Sequence, residues 1–155
     1  MEALEKAIRE ITTHISEKVL PSLDRNSVEK MIEMLIEAKR KGKKIMVVGA
    51  GRSGLVAKAF AMRLMHLGFT VYVLGETITP SVGEDDVIIA VSGSGSTQVV
   101  VSTAAAAKRK GAKIISITSH PDSPLGKLSD HFVIIPGRTK VSKEVDYFAR
   151  QVLGI

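Results

Sequence analysis

The chain has 155 residues, a net charge of +6, 45% hydrophobic residues, 4% aromatic residues and no cysteine. That length and apolar content support a single domain with an aliphatic core and exclude wholesale disorder. The missing thiols exclude disulfides, cysteine-type zinc sites and thiol nucleophiles, and so few rings argue against a base-stacking surface for single strands.

In chain order, Leu4, Ile8, Ile11, Ile15 and Leu20 recur at mostly helical spacing, and the spacing predicts a helix over 1–20, punctuated by Pro21. A second helix is predicted over 27–40, with Val28, Met31, Ile32, Leu35 and Ile36 on one face and Gly42 as its stop. Lys39, Arg40, Lys41, Lys43 and Lys44 fall at its end, where cations favour the helix dipole and stay solvated. Nucleic acid is therefore not the expected partner, and a small anionic substrate accounts for the modest positive excess.

The period then changes. Residues 44–49 form a short continuous apolar run ending in Gly49, which predicts a strand buried on both faces. Helix 53–67, strand 69–74, a connection over 75–86, strand 87–91, helix 97–110, strand 113–118, short helix 123–128, strand 131–135 and the start of a helix over 141–152 follow. Strands alternating with helices predict an α/β fold. It is a three-layer α-β-α sandwich on a five-stranded parallel sheet of order 2-1-3-4-5. Residues 1–42 supply two preceding helices, as an αα unit or an arm toward a partner subunit, and residues 43–155 the core of one domain.

In such sheets ligands sit beyond the carboxyl ends of the strands, where the strand order reverses, here between strands one and three. Those strands run into the two most glycine-rich loops. The loop after strand three is Ser92-Gly93-Ser94-Gly95-Ser96-Thr97. Its glycines admit close backbone approach, the next helix offers unpaired N–H groups, and Ser92, Ser94 and Thr97 add hydroxyls. This suits a phosphate monoester. The nucleotide P-loop's Gly-Lys-Ser/Thr ending is missing; the bland alternative is a Ser/Gly turn with a helix cap.

The loop after strand one, Gly49-Ala50-Gly51-Arg52-Ser53-Gly54, matches G-x-G-x-x-G. With Glu76 near the end of strand two it also permits a dinucleotide reading. Arg52 inside the loop and the serines after strand three weigh against that alternative. A valine at Gly51 is expected to damage binding sterically while leaving the fold.

These two loops, together with Phe60-Ala-Met-Arg-Leu-Met-His-Leu-Gly68 and Gly75-Glu-Thr-Ile-Thr-Pro80, resemble the SIS (sugar isomerase) domain, and more narrowly the 6-phospho-3-hexuloisomerase family. The four ordered motifs cover most of the chain. The resemblance implies interconversion of 3-hexulose 6-phosphate and fructose 6-phosphate in the ribulose monophosphate route, a homotetramer and no cofactor. It puts the phosphate loop on Ser92, Ser94 and Thr97, a second serine contact on Ser53, and Gly51 and Arg52 on the same crevice. It also implies a proton-transferring glutamate and a ring-opening histidine in segments beyond Ile155, so phosphosugar binding is expected to survive without them better than catalysis.

Isomerisation needs an acid–base group and an oxyanion partner. Glu76, leaving strand two, and His120, following strand four, are the candidate catalytic residues, and Arg52 the candidate oxyanion or hydroxyl partner. His66 and His131 read as structural. The four histidines are too dispersed for a metal site. Met1 to Glu10 lacks the apolar segment of a signal peptide, and no run approaches the roughly 20 apolar residues that span a bilayer. A cytoplasmic location without membrane contact is expected. A sugar-phosphate-binding domain without catalysis is the main rival reading, and a nucleotide-binding domain the next.

Overall fold

The computed structural model describes residues 1–137; the helix expected over 141–152 lies outside them. The sheet has five parallel strands in the order β2-β1-β3-β4-β5: β1 (Ile45–Gly49), β2 (Val71–Val73), β3 (Val87–Val91), β4 (Lys113–Thr118) and β5 (His131–Ile134). The expected topology is the observed one. Because neighbouring side chains on a strand point to opposite faces, each central strand feeds two cores. Ile45, Val47, Ile89 and Ile115 pack under α3 (Arg25–Arg40) and α4 (Gly51–His66). Met46, Ile88, Ala90 and Ile114 pack under α5 (Gln98–Arg109) and α6 (Pro124–Leu128), with Val100, Ala104 and Leu125. Apolar residues on both faces explain why these strands read as continuous runs.

Several boundaries differ from expectation. The first helix is α-helical only over α1 (Glu2–His14); Ile15–Val19 is a π-helical stretch, and α2 (Leu20–Ser22) closes it. The wide turns immediately precede Pro21, whose missing N–H and ring conflict with an ordinary α turn. Helix α3 starts at Arg25 rather than at residue 27, because the Asp24 carboxylate accepts from Asn26 N at 3.1 Å and Ser27 N at 3.2 Å. Helix α4 begins at Gly51 rather than residue 53, and β2 is the short edge segment Val71–Val73 rather than 69–74.

At the amino ends of β1 and β3, buried Asp86 accepts from Lys44 N at 2.9 Å and Gly83 N at 2.7 Å and pairs with Lys44 Nζ at 2.8 Å. Burial alone raises the pKa of this carboxyl. The bond to the Lys44 side chain and the two backbone N–H bonds outweigh it and hold the pKa below its ordinary value. At the carboxyl ends, Gly49 of β1 lies in register beside Val91 of β3, so both glycine loops leave the sheet side by side.

Candidate functional site

The first loop turns from β1 into α4 by backbone contact. Ala50 is the extended N-cap residue and supplies no side-chain cap. Gly51 has φ +55, and a Cβ there would meet open space. Gly49 and Gly54 pack so closely that a Cβ on Gly54 would lie 2.8 Å from the Gly49 carbonyl oxygen. This is the close strand–helix approach that the third glycine of G-x-G-x-x-G permits. Arg52 is exposed and Ser53 half-buried in the first turn of α4.

The second loop is held by hydroxyls. Ser92 is 2% exposed. Its Oγ lies 3.1 Å from Thr97 Oγ1 and accepts from Gly95 N at 3.2 Å. Ser92 continues the parity of Ile88 and Ala90, so its side chain lies under α5 and braces the loop from within. Ser94 is half-buried, and its Oγ accepts from Ser96 Oγ at 3.2 Å within the exposed turn. Thr97 is the N-cap of α5 without a side-chain cap bond. Helices α4 and α5 thus present uncapped amino termini beside the switch point, whereas Asp24 and Ser123 occupy those of α3 and α6. Uncapped N–H groups and two aligned dipoles favour an anion in this crevice.

The loop after β4 joins the same rim. Ser119 N donates to Gly93 O at 3.0 Å and Leu125 N to Gly95 O at 2.9 Å. Half-buried His120 therefore lies beside the second loop, its N donating to Thr118 Oγ1 at 3.2 Å. Glu76 is held elsewhere: its Oε1 pairs with Lys58 Nζ at 2.5 Å on α4, both side chains about half exposed. Among the described residues, no contact ties Glu76 to the serine loop, and its pairing with Lys58 leaves it poorly placed to hold a ribose.

Sequence reasoning passed over Thr118, Ser123 and Lys58. Thr118 was accessible, since a hydroxyl at the carboxyl end of a strand next to the switch point lies at the ligand-binding edge, and Ser123 was accessible as a helix cap placed directly before Pro124. The Lys58–Glu76 pair had no signal, because nothing local relates positions 18 apart. Among the described residues, no group of three or more histidine, aspartate or glutamate side chains gathers to hold a metal ion. No helix among them is long and apolar enough to cross a membrane.

Fold and loops together define a doubly wound α/β domain with two glycine-rich loops side by side at its switch point. Residues 39–152 match the SIS domain, and the chain belongs to that family. It is 55% identical over 150 residues to an uncharacterized protein of Aeropyrum pernix, covering 97% of this chain and 70% of the relative. It is 48% identical over 111 residues to the 3-hexulose-6-phosphate isomerase of Mycobacterium gastri, covering 72% of this chain and 55% of the relative. A hypothetical protein from Methanococcus jannaschii, for which a molecular function of 3-hexulose-6-phosphate isomerase is inferred, superposes with a TM-score of 0.68 at 33% identity. That match covers 99% of this chain and 88% of that one.

Proposed function

We propose that this chain is a phosphosugar isomerase that interconverts 3-hexulose 6-phosphate and fructose 6-phosphate through an enediol. The observation that carries the reading is the second loop. A serine-rich turn, stitched from beneath by Ser92, leads into the uncapped amino terminus of α5 at the switch point. The isomerase names of relatives at this level of identity support the same reaction.

In this reading Ser53, Ser94, Thr97 and the first N–H groups of α5 grip the phosphate, and Ser92 keeps the grip in shape. Gly51 leaves the crevice open, and the Arg52 guanidinium faces the enediolate oxygens. A base lifts the proton from C2 and returns it to C3, while the hydroxyl proton passes from O2 to O3. The phosphate grip fixes the reacting carbons against that base. His120 lies beside the second loop and can carry a proton; Glu76, paired with Lys58, stands second. The finer reading is a single-domain homotetramer of the cytoplasm, working in the ribulose monophosphate route. Exposed Leu55, Met62 and Met65 on α4 support self-association.

The test is calorimetric titration of fructose 6-phosphate into the protein. Saturable binding is expected, and Ser94→Ala should weaken it by roughly 1–3 kcal/mol, the worth of a hydrogen bond to a charged group. Unchanged affinity in that variant sinks the phosphate-loop assignment. Saturable binding without turnover of 3-hexulose 6-phosphate would instead favour a sugar-phosphate-binding domain without catalysis, a reading supported by the Lys58 pairing of Glu76. Binding of NAD that depends on Gly49, Gly51 and Glu76 but ignores Ser94 would favour the nucleotide-binding alternative.

A further inference from the structure

We infer that Thr118 is a positioning residue whose hydroxyl locks the serine loop and the His120 backbone into one register, so that anion affinity at the loop depends on it. The inference rests on the reading of residues 92–97 as the sugar-phosphate loop.

Thr118 is the last residue of β4 and 1% exposed. It continues the parity of Ile114 and Ser116, as Ser92 continues that of Ile88 and Ala90, so both hydroxyls end neighbouring strands on one face. Its Oγ1 donates to Gly93 O at 3.3 Å and accepts from His120 N at 3.2 Å. A hydroxyl has one proton and two lone pairs, so it makes both bonds at once.

The direction of these bonds matters more than their number. In a planar trans peptide the carbonyl and the following N–H point opposite ways. Thr118 Oγ1 and Ser119 N draw the Gly93 carbonyl down onto the loop after β4, which turns the Ser94 N–H away from it. Leu125 N does the same to the Gly95 carbonyl, and hence to the Ser96 N–H, which donates to Ser94 Oγ at 3.4 Å. The Gly95 N–H between them turns inward onto Ser92 O at 3.1 Å and Ser92 Oγ at 3.2 Å, so the outward donors alternate along the loop, and backbone N–H groups held to one side attract an anion. Gly95, at φ +61, is pressed onto this shelf so tightly that a Cβ would stand 3.2 Å from Thr118 Oγ1 and 1.9 Å from Ser123 Oγ. The shelf therefore sets the donor pattern of the loop, and Thr118 holds both the loop and the His120 backbone.

The experiment compares Thr118→Val, which keeps the branched shape and removes both bonds, with Thr118→Ser, which keeps the hydroxyl. Hydrogen exchange on the ligand-free proteins is read at residues 93–97 and at His120, with the amides of Ile114 and Ile115 as the reference for general loosening. Fructose 6-phosphate affinity is read by titration. Thr118→Val should speed exchange in the loop relative to the reference and weaken affinity about tenfold, the scale of one lost hydrogen bond. Thr118→Ser should stay within about twofold of the parent in both. Loop exchange that rises no more than the reference, or a serine variant as impaired as the valine one, overturns the inference. If the parent protein does not bind fructose 6-phosphate, the proposed function falls, and the exchange comparison still decides whether Thr118 sets the loop.

Discussion

At the end of β1, Gly49 and Gly54 touch backbone to backbone; at the end of β3, Ser92, Thr97 and Thr118 hold the chain through hydroxyls. Both loops leave the sheet side by side, and both deliver a helix amino terminus to the switch point. The first is fixed by the absence of side chains, so any Cβ at its contact point meets main chain that cannot swing aside. The second is fixed by short polar side chains, Ser92 and Thr97 from within the loop and Thr118 from 25 residues further along. Backbone contact gives a tolerance of zero for added atoms. A hydroxyl network instead tolerates exchange among serine and threonine, and responds to the loss of single bonds.

The far end of the sheet sets the scale for testing this contrast. Asp86→Ala breaks a buried ion pair and should cost about 3 kcal/mol, with ligand affinity unchanged, because Asp86 sits at the amino ends of β1 and β3. Since the folded carboxyl titrates below its ordinary value, its stabilisation is complete above the unfolded pKa of roughly 3.9 and is lost as pH falls through the folded value. Urea unfolding from pH 6 down to pH 2 or so should therefore show a loss of stability in the parent that is blunted in Asp86→Ala. An equal acid dependence in both proteins would remove Asp86 from the account. Within the first loop, Gly54→Ala places a methyl 2.8 Å from the Gly49 carbonyl oxygen and should cost about 2 kcal/mol by overpacking. A melting temperature unchanged from the parent would mean that the β1–α4 junction can spread.

Much of this arrangement is legible in the residues. Continuous apolar runs such as Ile45–Gly49 and Val87–Val91 announce strands buried on both faces, and the alternation with helices yields the sheet order. The switch point then selects both glycine loops without further information. The inward turn of Ser92 is also readable, since strand parity carries on from Ile88 and Ala90. What sequence does not supply is the pairing of distant polar atoms. Thr118 with Gly93, and Lys58 with Glu76, depend on packing between elements that no local spacing relates. The start of α3 was missed for a different reason: the Asp24 cap starts it at Arg25, two residues before the expected residue 27 and ahead of Val28, where the apolar periodicity begins.

Ser92→Ala probes the second loop at its base. The substitution removes the acceptor for Gly95 N and the partner of Thr97 Oγ1, and it should cost about 1.5 kcal/mol of stability. It should also weaken fructose 6-phosphate binding, because the loop loses its internal brace. Ser94→Ala should leave thermal stability within about 0.5 kcal/mol of the parent, as an exposed-turn change does, while weakening binding alone. Calorimetric unfolding and titration of the two variants separate the brace from the grip. If both variants lose only affinity, the internal brace has no structural role.

Among the substitutions that change stability, the smallest effect is expected at Gly51, where the two kinds of loop constraint come apart. The residue has φ +55, and a Cβ there would meet nothing within 4 Å. Alanine is therefore not excluded by contact; it suffers only the left-handed backbone, at about 1 kcal/mol. Asparagine tolerates that conformation better and should cost less in chemical denaturation. Valine, branched at Cβ, should cost more than alanine, so the steric damage expected of it comes with some loss of stability as well. Binding then decides what the open space is for. A substituent at Gly51 enters the volume in front of the α4 amino terminus, so Gly51→Asn should keep its stability and still weaken fructose 6-phosphate binding. Parent-like affinity in that variant would confine the ligand to the second loop and leave the first as a strand–helix junction.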